Sequence, residues 1–106
     1  MNIAWLYLAC AGIFEIIFAT SMKISDGFTK LLPSIITVVC VIGGIGSLTL
    51  ALKDIPVSVA YPIWTGVGAL GTVLIGYFYF GEGMSLMKGL SIAMIVGGVI
   101  GLRMSH

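Results

Sequence analysis

Four long apolar stretches, separated by short polar segments, dominate the chain. They cover residues 3–22, 31–52, 57–80 and 86–102. An α-helix rises ~1.5 Å per residue, so about 20 apolar residues cross a hydrocarbon layer of ~30 Å. Charged and turn-forming residues collect in the segments between them, which read KISDGFTK, KDIP and GEG. The pattern predicts a single all-α domain of four transmembrane helices joined by short loops.

The composition agrees with a membrane protein and excludes several other classes. Of the 106 residues, 59% are hydrophobic and 8% are charged, whereas about 25% of the residues in soluble domains are charged. The net charge of +1 offers no basic patch for nucleic acid. Cys10 and Cys40 lie in apolar stretches without metal-ligand spacing, so we expect no metal and no cofactor. The loops have no space for a conventional catalytic apparatus, so we expect no enzyme.

One ionisable residue, Glu15, lies deep within an apolar stretch. Counted from Ile3, it is about 18 Å into the layer, near its middle. Every other charge lies at the end of a stretch or in a loop. A charge at this depth costs at least ~2.5 kcal/mol, and an intramembrane acid is by default a functional site. We therefore expect Glu15 to bind protons or cations; the structural alternative is a protonated carboxyl that only hydrogen-bonds between helices.

Residues of two predicted helices are candidates to line a site around Glu15. Three lie within one turn of Glu15 on the same face of the first helix, and an aromatic pair three residues apart shares a face of the third. These candidates are Ala11, Gly12, Phe18, Tyr61 and Trp64. An aromatic pair in mid-membrane can form a cation–π wall. Ordinary packing and interfacial anchoring explain such a pair equally well.

Small residues recur on the third and fourth stretches. On the third, Gly66, Gly68 and Gly71 predict a helix that can bend, which is a candidate moving part for alternating access. On the fourth, small residues line one face at every fourth position, namely Gly89, Ala93, Gly97 and Gly101. Such stripes let helices approach closely in lipid, either between subunits or within one chain. We interpret this stripe as a dimer contact, because four helices alone enclose little of a pathway.

The basic residues predict only a weak preference for one orientation in the membrane. Lys53 and Arg103 lie on the side of the termini, and Lys23, Lys30 and Lys88 lie on the other side. Lys and Arg normally set the orientation. Here the count is two against three, which allows insertion both ways and therefore an antiparallel dimer. A single fixed orientation is the alternative.

Over essentially its whole length, the sequence resembles the small multidrug resistance transporters. The stretches FEIIFATSMKISDGFTKLLPS, IPVSVAYPIWTGVGALG and IVGGVIGLR carry the resemblance. The resemblance implies an antiparallel homodimer of four-helix subunits in the bacterial inner membrane, which exchanges protons for small organic cations. It also implies that protons and cations compete for Glu15, in a central site shared by both subunits and lined by Tyr61 and Trp64.

The runs WTGVGALG and GVIGLR look like the guanidinium-exporter branch of that family, so we expect export of guanidinium and related guanidinyl compounds. Three positions depart from the usual pattern: Phe18 replaces a tryptophan, Gly44 replaces a serine that lines the site, and Pro62 replaces a common alanine. These departures leave two alternatives open, a polyspecific exporter of quaternary ammonium and hydrophobic cations or one subunit of a heterodimer. A structural subunit and a passive channel are alternatives outside the transporter class.

Overall fold

Four helices make up the computed structural model, which describes residues 3–105. They are α1 (Ile3–Ile24), α2 (Leu31–Ala51), α3 (Val57–Phe78) and α4 (Leu86–Ser105). Each is long and apolar enough to cross a membrane, and no strand occurs among the described residues. The prediction of an all-helical membrane protein with four spans is therefore confirmed.

The helices are arranged around α1. α1 packs extensively along α2 and on another face against α3, whereas the backbone of α4 lies close only to that of α3. The guanidinium of Arg103 on α4 also lies over the Trp5 ring of α1, 4.2 Å from its centroid. No described residue of α4 is buried. All four residues of the predicted stripe are exposed, and a Cβ added at Gly89, Gly97 or Gly101 would have no neighbour within 4 Å. Packing within the chain therefore does not explain the stripe, and its use as a dimer contact stays a prediction.

A small apolar core joins α1, α2 and α3 at the end of the molecule that carries the α2–α3 loop. It combines small residues that allow close approach with a few larger aliphatic ones: Ala4, Leu8, Ala11, Leu48, Ala51, Ile55, Ala60 and Ile63. Lipid tails are as apolar as leucine, so packing contacts rather than the hydrophobic effect hold helices together in a membrane. α1 contributes Ala4, Leu8 and Ala11 to this core, all of which precede Glu15 in the chain.

α3 runs without interruption through Pro62. Pro62 is exposed and lies in the second turn of the helix, where it removes the N–H that would bond to the carbonyl of Ser58. Because this position is near the start of α3, the lost bond affects only the first turns and leaves the rest of the helix intact.

Truncation of the most buried isoleucine tests the core. Ile55 is 2% exposed, and we expect Ile55→Ala to lower the free energy of unfolding by about 2–5 kcal/mol, because the substitution leaves a cavity. Ile42 of α2 is 68% exposed and provides the matched control, for which Ile42→Ala should have a much smaller effect. Thermal unfolding of the purified protein in detergent measures both. Equal losses would show that Ile55 does not belong to a packed core.

Candidate functional site

The carboxyl group of Glu15 lies between α1 and α3. A Cβ added at Gly68 of α3 would overlap this carboxyl group, so glycine at position 68 leaves space for the carboxyl group in this position and any larger residue would displace it. The Oε2 atom of Glu15 is buried and has no hydrogen-bond partner within the described part of the chain. Buried polar atoms in proteins are almost always bonded. Glu15 is therefore an unsatisfied acceptor that a proton or a cation can satisfy.

Glycines on both helices bring α1 and α3 close together along this line, which we call the α1–α3 seam. An added Cβ at Gly12 would approach the Val67 side chain to 2.9 Å. An added Cβ at Gly71 would overlap the Ile16 side chain. Each glycine thus accepts a side chain of the opposite helix. The Glu15 carboxyl lies between two points where the helices approach closely, and its Oε2 atom is buried there.

The three glycines that the sequence presents as a hinge all make packing contacts in this structure. Gly68 faces Glu15, Gly71 faces Ile16, and Gly66 faces Val99 of α4, where an added Cβ would lie 2.6 Å from Cγ2. These glycines therefore place α3 between α1 and α4. Bending at them stays a prediction.

Trp64 fixes α3 to the turn of α1 that carries the carboxylate. Its indole Nε1–H donates a hydrogen bond of 3.0 Å to the carbonyl oxygen of Ala11, one helical turn before Glu15. The indole contacts Tyr61 edge-to-face, with ring centroids 5.4 Å apart. Tyr61 is 51% exposed and lines a groove of about 540 Å³ between α3 and α4. The two aromatic rings thus contact each other, and of the two residues Trp64 is the one that donates a hydrogen bond to α1.

Four candidates remain, of which three belong to α1 and one belongs to α2. Ala11 and Gly12 are buried at the contacts with α3 described above, and Phe18 is half-buried one turn beyond Glu15. Gly44 of α2 is also buried, but an added Cβ there would meet the Cβ of Phe14 at 3.2 Å and the carbonyl of Ala11 at 3.8 Å, with no Glu15 atom within 4 Å. Gly44 therefore lies behind the turn that carries Glu15 and does not face its carboxyl group.

A cavity in the seam is lined by residues that the sequence pattern did not single out as a site. This cavity has a volume of about 160 Å³ and lies beyond Glu15, toward the α1–α2 and α3–α4 loops. Six residues that carry its chemistry are Thr20, Lys23, Thr72, Gly76, Phe80 and Glu82. A signal was present, because Lys23 follows Glu15 by two steps of four residues and Gly76 follows Gly68 by the same interval.

The chain is similar to known proteins over nearly its whole length. The family model described as "Small Multidrug Resistance protein" matches residues 3–95. A protein of Proteus vulgaris named guanidinium exporter is 46% identical over 102 residues, which cover 96% of this chain and 98% of the relative. Guanidinium exporters of Yersinia pseudotuberculosis and Citrobacter freundii are 43% and 42% identical over the same length, covering 96% of this chain and 98% and 97% of the relatives.

The contact between Gly68 and Glu15 can be tested with a double-mutant cycle. We expect Gly68→Ala to lower the free energy of unfolding by about 1–3 kcal/mol, because its methyl group overlaps the carboxyl group. In a Glu15→Ala background the same change should cost much less, because the methyl group enters the vacated volume. Unfolding of the purified variants in detergent gives both values.

Gly46 of α2 provides the control for this cycle. It is exposed, and an added Cβ would have no neighbour within 4 Å. Gly46→Ala should leave stability unchanged or raise it by up to ~1 kcal/mol, because alanine is the better helix former. If Gly68→Ala costs the same with and without the Glu15 side chain, the close approach of the two residues is refuted.

Proposed function

The chain belongs to the small multidrug resistance family, and on that premise we propose that it exports guanidinium and related guanidinyl cations across the bacterial inner membrane in exchange for protons. The observation that carries the proposal is the buried, unbonded carboxyl oxygen of Glu15 in the middle of a membrane-spanning helix. The relatives named guanidinium exporters, at 42–46% identity, support the substrate class.

Coupling follows from the electrostatics of a single acidic group. A carboxylate in hydrocarbon is strongly disfavoured unless something neutralises its charge, and either a proton or a cation does so. Protonation removes the charge that attracts the cation, so the two ligands compete. An inward proton gradient then displaces the cation outward, provided that the unliganded carboxylate changes sides slowly.

Guanidinium suits this site for two reasons. Its planar fork of N–H donors matches the two oxygens of a carboxylate and forms charge-assisted hydrogen bonds with it. Guanidinium groups also stack on aromatic rings, and Trp64 supplies an aromatic ring beside the turn that carries Glu15. Because the Trp64 N–H already donates to Ala11, this side chain contributes its ring rather than a hydrogen bond.

In this proposal a second copy of the chain completes the transport pathway. The stripe on α4 is exposed along the helix, and small residues are the usual contact between helices in lipid. The even distribution of basic residues over the two ends supports an antiparallel pair. Two Glu15 side chains would then share one pathway, and an exchange of conformation between the two subunits would open it to the opposite side.

Transport currents test the proposal directly. We expect proteoliposomes on a solid-supported membrane to give currents with guanidinium, and Glu15→Gln to reduce them to background, because glutamine cannot exchange a proton. Asp54→Asn makes the same change at an exposed position in the α2–α3 loop and should retain the currents.

The same recordings distinguish the alternatives. Equal currents with tetramethylammonium or tetrapropylammonium would replace the guanidinium assignment with a polyspecific exporter. Silence of the wild type toward all three cations would refute a functional homodimer and indicate a missing partner subunit. Guanidinium currents that survive Glu15→Gln would refute the proposed mechanism.

A further inference from the structure

A second arrangement suited to binding cations lies at the loop end of the α1–α3 seam. The ammonium of Lys23 lies 3.9 Å from a carboxylate oxygen of Glu82 and 5.8 Å from the centroid of the Phe80 ring. A carboxylate and an aromatic face around one ammonium group form a recognisable cation site. Here the cation that occupies it belongs to the protein itself.

The backbone holds Glu82 in this position independently of Lys23. Gly81 adopts a φ of +68°, a conformation that glycine adopts readily, and it turns the chain back after α3. The N–H of Glu82 then donates a hydrogen bond of 2.9 Å to the carbonyl of Gly76. Gly76 is buried, and a Cβ there would overlap a carboxylate oxygen of Glu82. The missing side chain at position 76 thus lets the carboxylate reach the seam.

The other polar groups of this cavity present acceptors. The hydroxyl of Thr20 donates its only hydrogen to the carbonyl of Ile16 at 2.8 Å, and that of Thr72 donates to Ala69 at 3.0 Å. Each hydroxyl therefore retains only lone pairs for a ligand. A carboxylate, two hydroxyl acceptors and an aromatic ring favour a ligand with N–H donors. The volume of about 160 Å³ is several times the ~30 Å³ that one water occupies in the liquid.

The Lys23 ammonium can be exchanged at low cost. The side chains of Lys23 and Glu82 are 62% and 52% exposed, and ion pairs as exposed as this one contribute little to stability. When another cation takes the place of the ammonium, the lysine side chain can swing into water. The next charged residue along the chain is Lys88 in the first turn of α4, whose ammonium already donates to the carbonyl of Gly83 at 2.7 Å.

We propose that this cavity is a second binding site for small organic cations that carry N–H donors. Glu82, Phe80 and the two threonines are its ligands, and Lys23 is a tethered competitor. The site lies about 12 Å along α1 from Glu15, on the same helix face. A cation that moves along the seam from Glu15 to water, or in the reverse direction, therefore passes this second site. This role on a route rests on the proposed export function, whereas the binding itself does not.

Transport kinetics of the full chain in liposomes test the role of Glu82. We expect Glu82→Gln to raise the half-saturating guanidinium concentration at least threefold while the maximal current changes less than twofold, because Glu15 is intact. Glu82→Asp should restore part of the affinity. Asp26→Asn removes an exposed carboxylate from the α1–α2 loop and controls for surface charge. An equal shift in Asp26→Asn, or no shift in Glu82→Gln, would overturn the proposal.

Two lysine substitutions test the role of Lys23 as a competitor. Lys23→Met should lower the half-saturating guanidinium concentration about threefold, because the internal cation is gone. Lys30→Met removes an exposed lysine at the same end of the molecule and should leave the concentration unchanged or change it far less. A higher half-saturating concentration in Lys23→Met would contradict competition.

Direct binding separates this site from the proposed function. In the Glu15→Gln variant, titration with guanidinium chloride should shift the amide NMR signals of Thr72, Gly76 and Glu82 in a saturable manner. These shifts should disappear in the Glu15→Gln, Glu82→Gln double variant. If they are absent in the single variant, the second site is refuted. If they are present while the wild type carries no guanidinium current, the export proposal fails and the second site stands.

Discussion

An acidic group buried in hydrocarbon must be neutralised, and the arrangement of α1 and α3 depends on this constraint. The seam encloses the Glu15 carboxyl group yet supplies no hydrogen bond to its Oε2 atom from the described residues. In a low-dielectric environment an unpaired charge of this kind is costly. The export proposal uses this property: the side chain alternates between a proton and an external cation, because no internal lysine or arginine competes for it at that depth.

Near Glu15 the helices α1 and α3 pack closely because glycines on one helix leave space for side chains of the other. Glycine at positions 12, 68 and 71 lets the helices approach until side chains of one helix contact the backbone of the other. The aliphatic core lies at the N-terminal end of α1, around Ile55 of the α2–α3 loop. At the other end of α1, Ser25 and Thr37 are buried, and the seam contains the cavity beside Lys23 and Glu82.

The three departures from the guanidinium-exporter pattern lie at different places relative to the Glu15 carboxyl group. A side chain at Gly44 would contact Phe14 and the Ala11 carbonyl, and its Cβ would not approach the Glu15 carboxyl within 4 Å. Pro62 lies in the first turns of α3, beside the groove toward α4. Position 44 therefore does not contact the carboxyl group, and Pro62 lines the groove toward α4. Phe18, one turn beyond Glu15, is the departure on the helix that carries the acid.

The sequence by itself determined the four spans, the depth of Glu15 and the small-residue face of α4, because each depends only on composition and on the period of a helix. Periodicity shows which residues share a face, but it does not show which neighbour that face meets. Only the tertiary structure decided that Gly68 faces Glu15, that Trp64 bonds to Ala11 while Tyr61 lines a different groove, and that Gly44 lies behind the site. The same holds for Lys23 and Glu82, which are far apart in the chain and meet because the turn at Gly81 folds the loop back onto the end of α3.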